Sequence, residues 1–230
     1  MAHREATDPA TPPPDSATTV IVVDDDAWAV RGISAALTDD GFSVVGSAYS
    51  GQEAVELAAK LQPDVVLLDI NMPPGMNGID ATAQIRTLSP ASTIVILTTS
   101  APGPGIARAL EAGAAGILTK SEPPMVLTRA LRMLLADDDP RILKRLAETI
   151  IISGDMISTD GALSPSLTKT EHRVLRLLSQ GLNYEAIAAE LTVSPATVRT
   201  HAQHLREKLH AQSISQIVYR GVQLKFISID

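Results

Sequence analysis

The sequence predicts an α/β fold, a doubly wound parallel five-stranded sheet, followed by a small all-α domain. Three observations carry this. Five short apolar runs recur within the first 136 residues, each followed by a stretch of helical periodicity, and strict strand–helix alternation implies parallel strands with helices on both faces. Apart from Phe42 to Ala48, which alternates loosely, the runs are unbroken, as in Val20-Ile21-Val22-Val23 and Val65-Val66-Leu67-Leu68, which suits strands buried on both faces. The last 65 residues carry helix caps and helical periodicity instead.

Residues 1–18 are rich in Pro, Thr, Asp and Ala, with Pro12-Pro13-Pro14 and no periodicity, and read as a disordered tail. The first strand, Val20 to Val23, ends in Asp24-Asp25-Asp26, and a helix from Ala27 to Leu37 follows until Asp39-Asp40-Gly41 stops it. Phe42 to Ala48 reads as the second strand. Ser50 is placed to cap a helix reaching Leu61, with Ala54, Val55, Leu57 and Ala58 turned inward. The third strand ends at Asp69, and Asn71-Met72-Pro73-Pro74-Gly75-Met76-Asn77 lead into a helix over 78–88. Thr93 to Leu97 is the fourth strand, ending in Thr98-Thr99-Ser100, with a helix over 105–112 behind Ala101-Pro102-Gly103-Pro104. Gly116 to Thr119 is the fifth, ending in Lys120, and a helix from Pro124 to Leu135 closes a domain over 19–136. The arrangement is flavodoxin-like.

Asp137-Asp138-Asp139-Pro140 breaks that last helix and opens a linker over 137–164, within which Arg141 to Ile152 could form a short amphipathic helix. The second domain spans 165–230. Thr168 and Glu171 form a capping box ahead of Val174, Leu175, Leu177 and Leu178, and Gly181 ends that helix. A short helix from Tyr184 to Leu191, a tight turn at Thr192-Val193-Ser194 and a helix from Pro195 to Leu209 make a helix-turn-helix pattern, with Ser194 as cap.

Charge divides along the same boundary. The chain carries −7 overall, yet from Pro165 onward eight Lys/Arg face five Asp/Glu, a net +3 that leaves −10 on the first 164 residues. This is the asymmetry expected when only the second domain meets phosphates. Cores must be built from Leu, Ile, Val and Ala, because aromatics are 3% of the chain. The absence of Cys excludes disulfides and thiolate metal sites, and no run is long enough for a membrane span or a signal core. A soluble, cytoplasmic protein is expected.

Polar groups stand at the carboxyl ends of four strands, where open parallel sheets collect ligands and chemistry. The three adjacent acids Asp24-Asp25-Asp26 past the first strand are hard oxygen ligands suited to Mg²⁺, and Asp69 ends the third strand. With the Thr98 hydroxyl and the Lys120 ammonium they supply what is needed to hold a phosphoryl group on a carboxylate oxygen. Asp26 is better explained as a helix-start acid favoured by the dipole.

The order acid pair, Asp, Thr, Lys resembles the receiver domain of two-component response regulators. The resemblance implies phosphorylation at Asp69 and a Mg²⁺ site from Asp24, Asp25, Asp69 and the Asn71 backbone carbonyl. It also implies a switch built on Thr98 and Lys120. Two features depart from the family: the loop from Met72 to Gly78 is one residue longer, and Ile117 stands where the switch aromatic is usual. In the second domain, Leu167-Thr168, Glu171, Val174-Leu175, Gly181, Ile187-Ala188, Leu191, Ser194, Thr197-Val198, His201 and Lys208-Leu209 resemble the LuxR-type DNA-binding domain. Together the halves resemble a NarL/FixJ-type response regulator.

The expectation is therefore a transcriptional regulator of double-stranded DNA, not an enzyme, phosphorylated by a partner histidine kinase and a homodimer when phosphorylated. Arg199, Thr200, Gln203, His204 and Lys208 are the expected DNA-facing residues, with Thr197, Val198 and Leu205 turned to the core. A second reading keeps DNA binding but makes the first half a phosphorylation-independent module for dimerisation or ligand binding; the intact acid, Thr and Lys set argues against it, while Ile117 and the longer loop keep it open. A third, a haloacid-dehalogenase-like phosphatase, needs an acid two residues after the nucleophile, and Asn71 cannot transfer that proton.

Overall fold

The computed structural model describes residues 17–99, 104–136 and 165–227. The expected helix over 141–152 and all but the end of the N-terminal tail lie outside these residues. Five parallel strands, β1 (Thr19–Val23), β2 (Ser43–Ala48), β3 (Val65–Asp69), β4 (Thr93–Thr98) and β5 (Gly116–Thr119), form one sheet in the order β2-β1-β3-β4-β5. The order reverses between β1 and β3, opening a crevice at their carboxyl ends.

Successive strand residues point to opposite faces, so each unbroken apolar run feeds two cores. Ile21, Val23, Val66, Leu68, Ile94 and Ile96 pack against α2 (Gly51–Leu61), α3 (Gly78–Leu88) and α4 (Pro104–Ala112). Val20, Val22, Val65, Leu67, Val95 and Leu97 meet α1 (Ala27–Asp39) and α5 (Pro124–Leu135) on the other face. Each such side chain contributes roughly 1.5–3 kcal/mol on burial.

The caps follow the sequence signals. Asp26 accepts from Trp28 N at 2.8 Å and Ser50 from Glu53 N at 3.3 Å. Asn77 Oδ1 accepts from both Ile79 N and Asp80 N at 2.9 Å, so the lengthened loop still ends in a well-capped helix. Helix α1 runs to Asp39, two residues past the expected end, before Gly41 turns the chain at φ 82°. Leu57 is only partly buried among the four residues expected inward on α2.

The second domain contains α6 (Lys169–Ser179), α7 (Tyr184–Leu191), α8 (Pro195–Leu209) and α9 (Ile214–Gln223). Helix α9 was not anticipated as a separate element. The Thr168–Glu171 capping box is present, and Ser194 caps α8 with Pro195 in its first turn. Val174, Leu175, Ile187, Val198, Leu205 and Ile217 are at the centre of a core that also takes in Ile106, Ala107 and Leu110 of α4.

Helix α9 lies against α4. Tyr219 OH donates to Glu111 Oε1 at 2.7 Å, Gln216 Nε2 to the Ala114 carbonyl at 2.9 Å and Gln223 Nε2 to Glu111 Oε1 at 3.3 Å. The partly buried Ile117 of β5 packs against both the α2–α4 core and the core of the second domain.

Candidate functional site

Parallel register brings the expected residues to one end of the sheet. Val23 is level with Leu68, Asp69 with Leu97 and Thr98 with Thr119, so Asp24, Asp69, Thr98 and Lys120 leave adjacent strands side by side. Lys120 Nζ lies 2.5 Å from Asp24 Oδ2 and 3.0 Å from Asp69 Oδ1. Asp24 is fully buried, Asp69 5% exposed and Thr98 7% exposed, while Asp25 sits exposed at the mouth. Carboxylate oxygens of Asp24, Asp25 and Asp69 lie within 4.8 Å of one another. Three hard, charged donors at that spacing fit a divalent cation such as Mg²⁺.

Burial raises the Asp69 carboxyl above its ordinary value, and the nearby Asp24 charge adds to this, while Lys120 and the Asn71 backbone N–H oppose it. Burial works against the Lys120 ammonium, but bonds to Asp24 and Asp69 and their charges outweigh it and hold Lys120 above its usual value. The pocket thus presents a poorly hydrated carboxylate held by a firmly protonated amine.

Glycine at position 78 is required for this geometry. The Gly78 N–H donates to Ile70 O at 3.0 Å, and a Cβ there would run into the Asp69 carbonyl. The loop after Asp69 is therefore tucked under it, with Met72 buried and Pro73, Pro74 and Gly75 exposed.

A second surface lies on α8. Val198, Ala202, Leu205 and Leu209 are buried, whereas Arg199, Thr200, Gln203 and His204 face outward together. Arg199 Nη2 is 3.6 Å from Glu185 Oε1, and its guanidinium lies over the Tyr184 ring at 5.7 Å. Gln203 Nε2 donates to Glu207 Oε1 at 3.1 Å.

Two expectations for this helix need correction. Thr197 is exposed, because it lies three residues after Ser194 and the two hydroxyls pair at 2.9 Å beside the cap. Lys208 does not stand with the outward group: its Nζ lies 2.8 Å from the buried Glu171 carboxylate and 3.3 Å from the Ser166 carbonyl. The sequence reading missed Glu185. Its only signal was an acid at the second position of the helix before the basic one.

Comparison with known proteins now bears on these two surfaces. The family described as "Response regulator receiver domain" matches residues 20–132, and "Bacterial regulatory proteins, luxR family" matches 165–220. The nitrate/nitrite response regulator protein NarL of Escherichia coli (strain K12) is 33% identical over 174 residues, 74% of this chain and 79% of NarL. The chain is a DNA-binding two-component response regulator.

Similar regulators include the oxygen regulatory protein NreC of Staphylococcus carnosus (strain TM300), 32% identical over 82% of this chain and 88% of NreC. Response regulator GacA of Pseudomonas viridiflava is 31% identical over 84% of this chain and 89% of GacA. Among solved structures, response regulator ChrA of a heme-sensing two-component system covers 92% of this chain and 99% of its own at 28% identity, with a TM-score of 0.45. The regulator is thus a transcription factor rather than an enzyme, and no helix among its described residues is long and apolar enough to cross a membrane.

Proposed function

We propose that Asp69 accepts a phosphoryl group from a partner histidine kinase in the cytoplasm, and that the regulator then binds double-stranded DNA as a homodimer. The observation that carries this reading is the bridge of Lys120 between Asp24 and Asp69. In group transfer an Asp69 oxygen attacks phosphorus, the bond from phosphorus to the donor breaks, and its electron pair leaves with the donor. Asp24, Asp25, Asp69 and the Asn71 carbonyl would hold Mg²⁺, which when bound offsets negative charge on the phosphoryl oxygens.

Lys120, freed from one carboxylate, turns its ammonium to a phosphoryl oxygen, and the Thr98 hydroxyl donates to another. On the neighbouring β5, Ile117 lies level with Ile96, two residues before Thr98, and touches both cores, so a small shift here is felt at the α4–α9 contact. Loosening Glu111 from Tyr219 uncovers α9 for pairing with a second copy. Arg199, Thr200, Gln203 and His204 then enter a major groove, with two half-sites matching the two-fold symmetry.

The test is treatment of the full chain with acetyl phosphate and Mg²⁺, with intact mass, sedimentation and DNA affinity read together. One phosphoryl adduct, lost on chelation and in Asp69→Asn, is expected. Thr98→Ala should accept the group yet fail to dimerise. An unchanged adduct in Asp69→Asn overturns the site, and normal dimerisation in Thr98→Ala overturns the transmission.

A further inference from the structure

At the far end of the sheet from Asp69 a cleft of about 330 Å³ spans the seam between the two domains. Its receiver wall is made by Arg86 at the end of α3 and Thr93 at the start of β4, with Leu134 and Leu135 of α5 as an apolar side. Gln212 and Ser213, in the turn between α8 and α9, close it from the second domain. The polar groups are neutral apart from one guanidinium. Arg86 donates from Nη1 to the Ser92 carbonyl at 3.2 Å, and among the described residues no carboxylate lies within ion-pair distance of it.

A guanidinium has five N–H donors in a fixed fork, so one carbonyl leaves most of that capacity unused. Arg86 is also held in place: its stem lies against Gly113, where an added Cβ would come within 2.5 Å of the Arg86 Cγ. Burial pulls Arg86 below its usual value, yet an arginine remains charged at neutral pH. A half-buried cation with no counter-charge among the described residues, in a cleft lined also by Thr93, Gln212 and Ser213, is an oxyanion receptor in its chemistry.

We infer that this seam cleft binds a small organic oxyanion, a carboxylate or a phosphate monoester, with its charged head on Arg86 and its apolar body along Leu134 and Leu135. Because the walls come from both domains, the occupant binds the docked arrangement better than a separated one. By linkage it holds α9 on α4 and opposes activation, which makes the cleft a small-molecule input separate from Asp69.

The test is calorimetric titration of the full, unphosphorylated chain in the presence of a chelator, with sodium phosphate, sodium acetate and sodium chloride at matched ionic strength. Saturable binding of phosphate assigns the phosphate class and of acetate the carboxylate class, with chloride giving only dilution heat. Arg86→Gln should weaken binding about tenfold, as should Gln212→Glu, an exposed change that leaves the fold intact; Gln212→Lys should strengthen it. Identical heats for all three salts overturn the site. Wild-type affinity in Arg86→Gln removes the anchor, and wild-type affinity in both Gln212 variants removes the second domain from the site.

Discussion

Replacing Lys208 by Met removes an ammonium that the structure devotes to Glu171. The Glu171 side chain is 4% exposed and that of Lys208 36% exposed, so water reaches the pair from one side only. Methionine preserves the length and apolar stem of lysine, leaving charge as the main difference. Removing one partner of a fully buried ion pair costs about 3–5 kcal/mol. Here the carboxylate keeps a 2.7 Å bond from Thr168 N, and partial solvation lowers the penalty to about 2 kcal/mol. Glu171→Gln loses the same attraction but strands no charge, so about 1 kcal/mol is expected, and the double variant should cost less than the two singles combined. Hydrogen exchange of α6 and α8 peptides isolates the opening of this domain from the rest of the chain. The companion measurement is DNA affinity against salt: the slope should match wild type, because Lys208 neutralises Glu171 and not a phosphate. Unchanged exchange protection together with a slope smaller by about one would refute the reasoning.

The same carboxylate sets a pH dependence. Burial raises Glu171, but the bonds from Lys208 and Thr168 outweigh it and hold the group below its ordinary value of 4.5. A depressed carboxyl stabilises the fold fully above its unfolded value and loses that contribution as pH falls through its folded value, so α6 protection should decline below about pH 4.5, and less steeply in Glu171→Gln. Arg199→Ala should cost about 1–3 kcal/mol of specific DNA affinity and relax selectivity at one base pair; an equal loss on scrambled DNA would instead mark a phosphate contact. Gly78→Ala, whose Cβ meets the Asp69 carbonyl, should cost about 1–3 kcal/mol and reduce phosphodonor labelling, leaving DNA binding intact; full labelling would show that the loop can yield.

Much of the receiver was legible because its signals are local. Unbroken runs such as Val20 to Val23 reveal strands covered on both faces, and the acid, hydroxyl or amine ending each run marks the sheet end at which chemistry gathers. Caps at Asp26, Ser50, Thr168 and Ser194 need only a few consecutive residues to be read. Helix α9 was missed although its local signal is present: Ile214, Ile217, Val218, Gly221 and Val222 follow helical spacing. What no local pattern reveals is that Ser215, Gln216 and Tyr219 are buried as well, because α9 touches its own domain and α4 at once. The Glu111–Tyr219 bond spans 108 residues, and no sequence period encodes such a pairing. Lys208 misled for a related reason: a basic residue late in a helix-turn-helix suggests phosphate, and only the fold reveals the buried acid beside it.

The size of the α4–α9 contact bears on how the proposed switch must work. A charge-assisted bond from Tyr219 to Glu111 contributes about 1.5–3 kcal/mol and the neutral bond from Gln216 to Ala114 about 1 kcal/mol, with apolar burial of Ile106 and Leu110 in addition. Turning a 1:99 equilibrium into 99:1 requires about 5.5 kcal/mol, whereas coupling between two sites typically supplies about 1–3 kcal/mol. Phosphorylation acting only through Thr98 and Ile117 would leave the domains partly docked. Exposed α9 would then return to α4, since its apolar residues have no other cover. In the proposed dimer, a second copy covering the exposed α9 would supply the missing free energy, and because that term grows with protein concentration, phosphorylation and self-association would be halves of one switch. In the proposed switch, Ile at the place of the usual aromatic would sharpen this dependence: Ile117 packs against both cores and has no ring to swing between buried and exposed positions, so it would transmit by packing and leave more of the work to the proposed dimerisation.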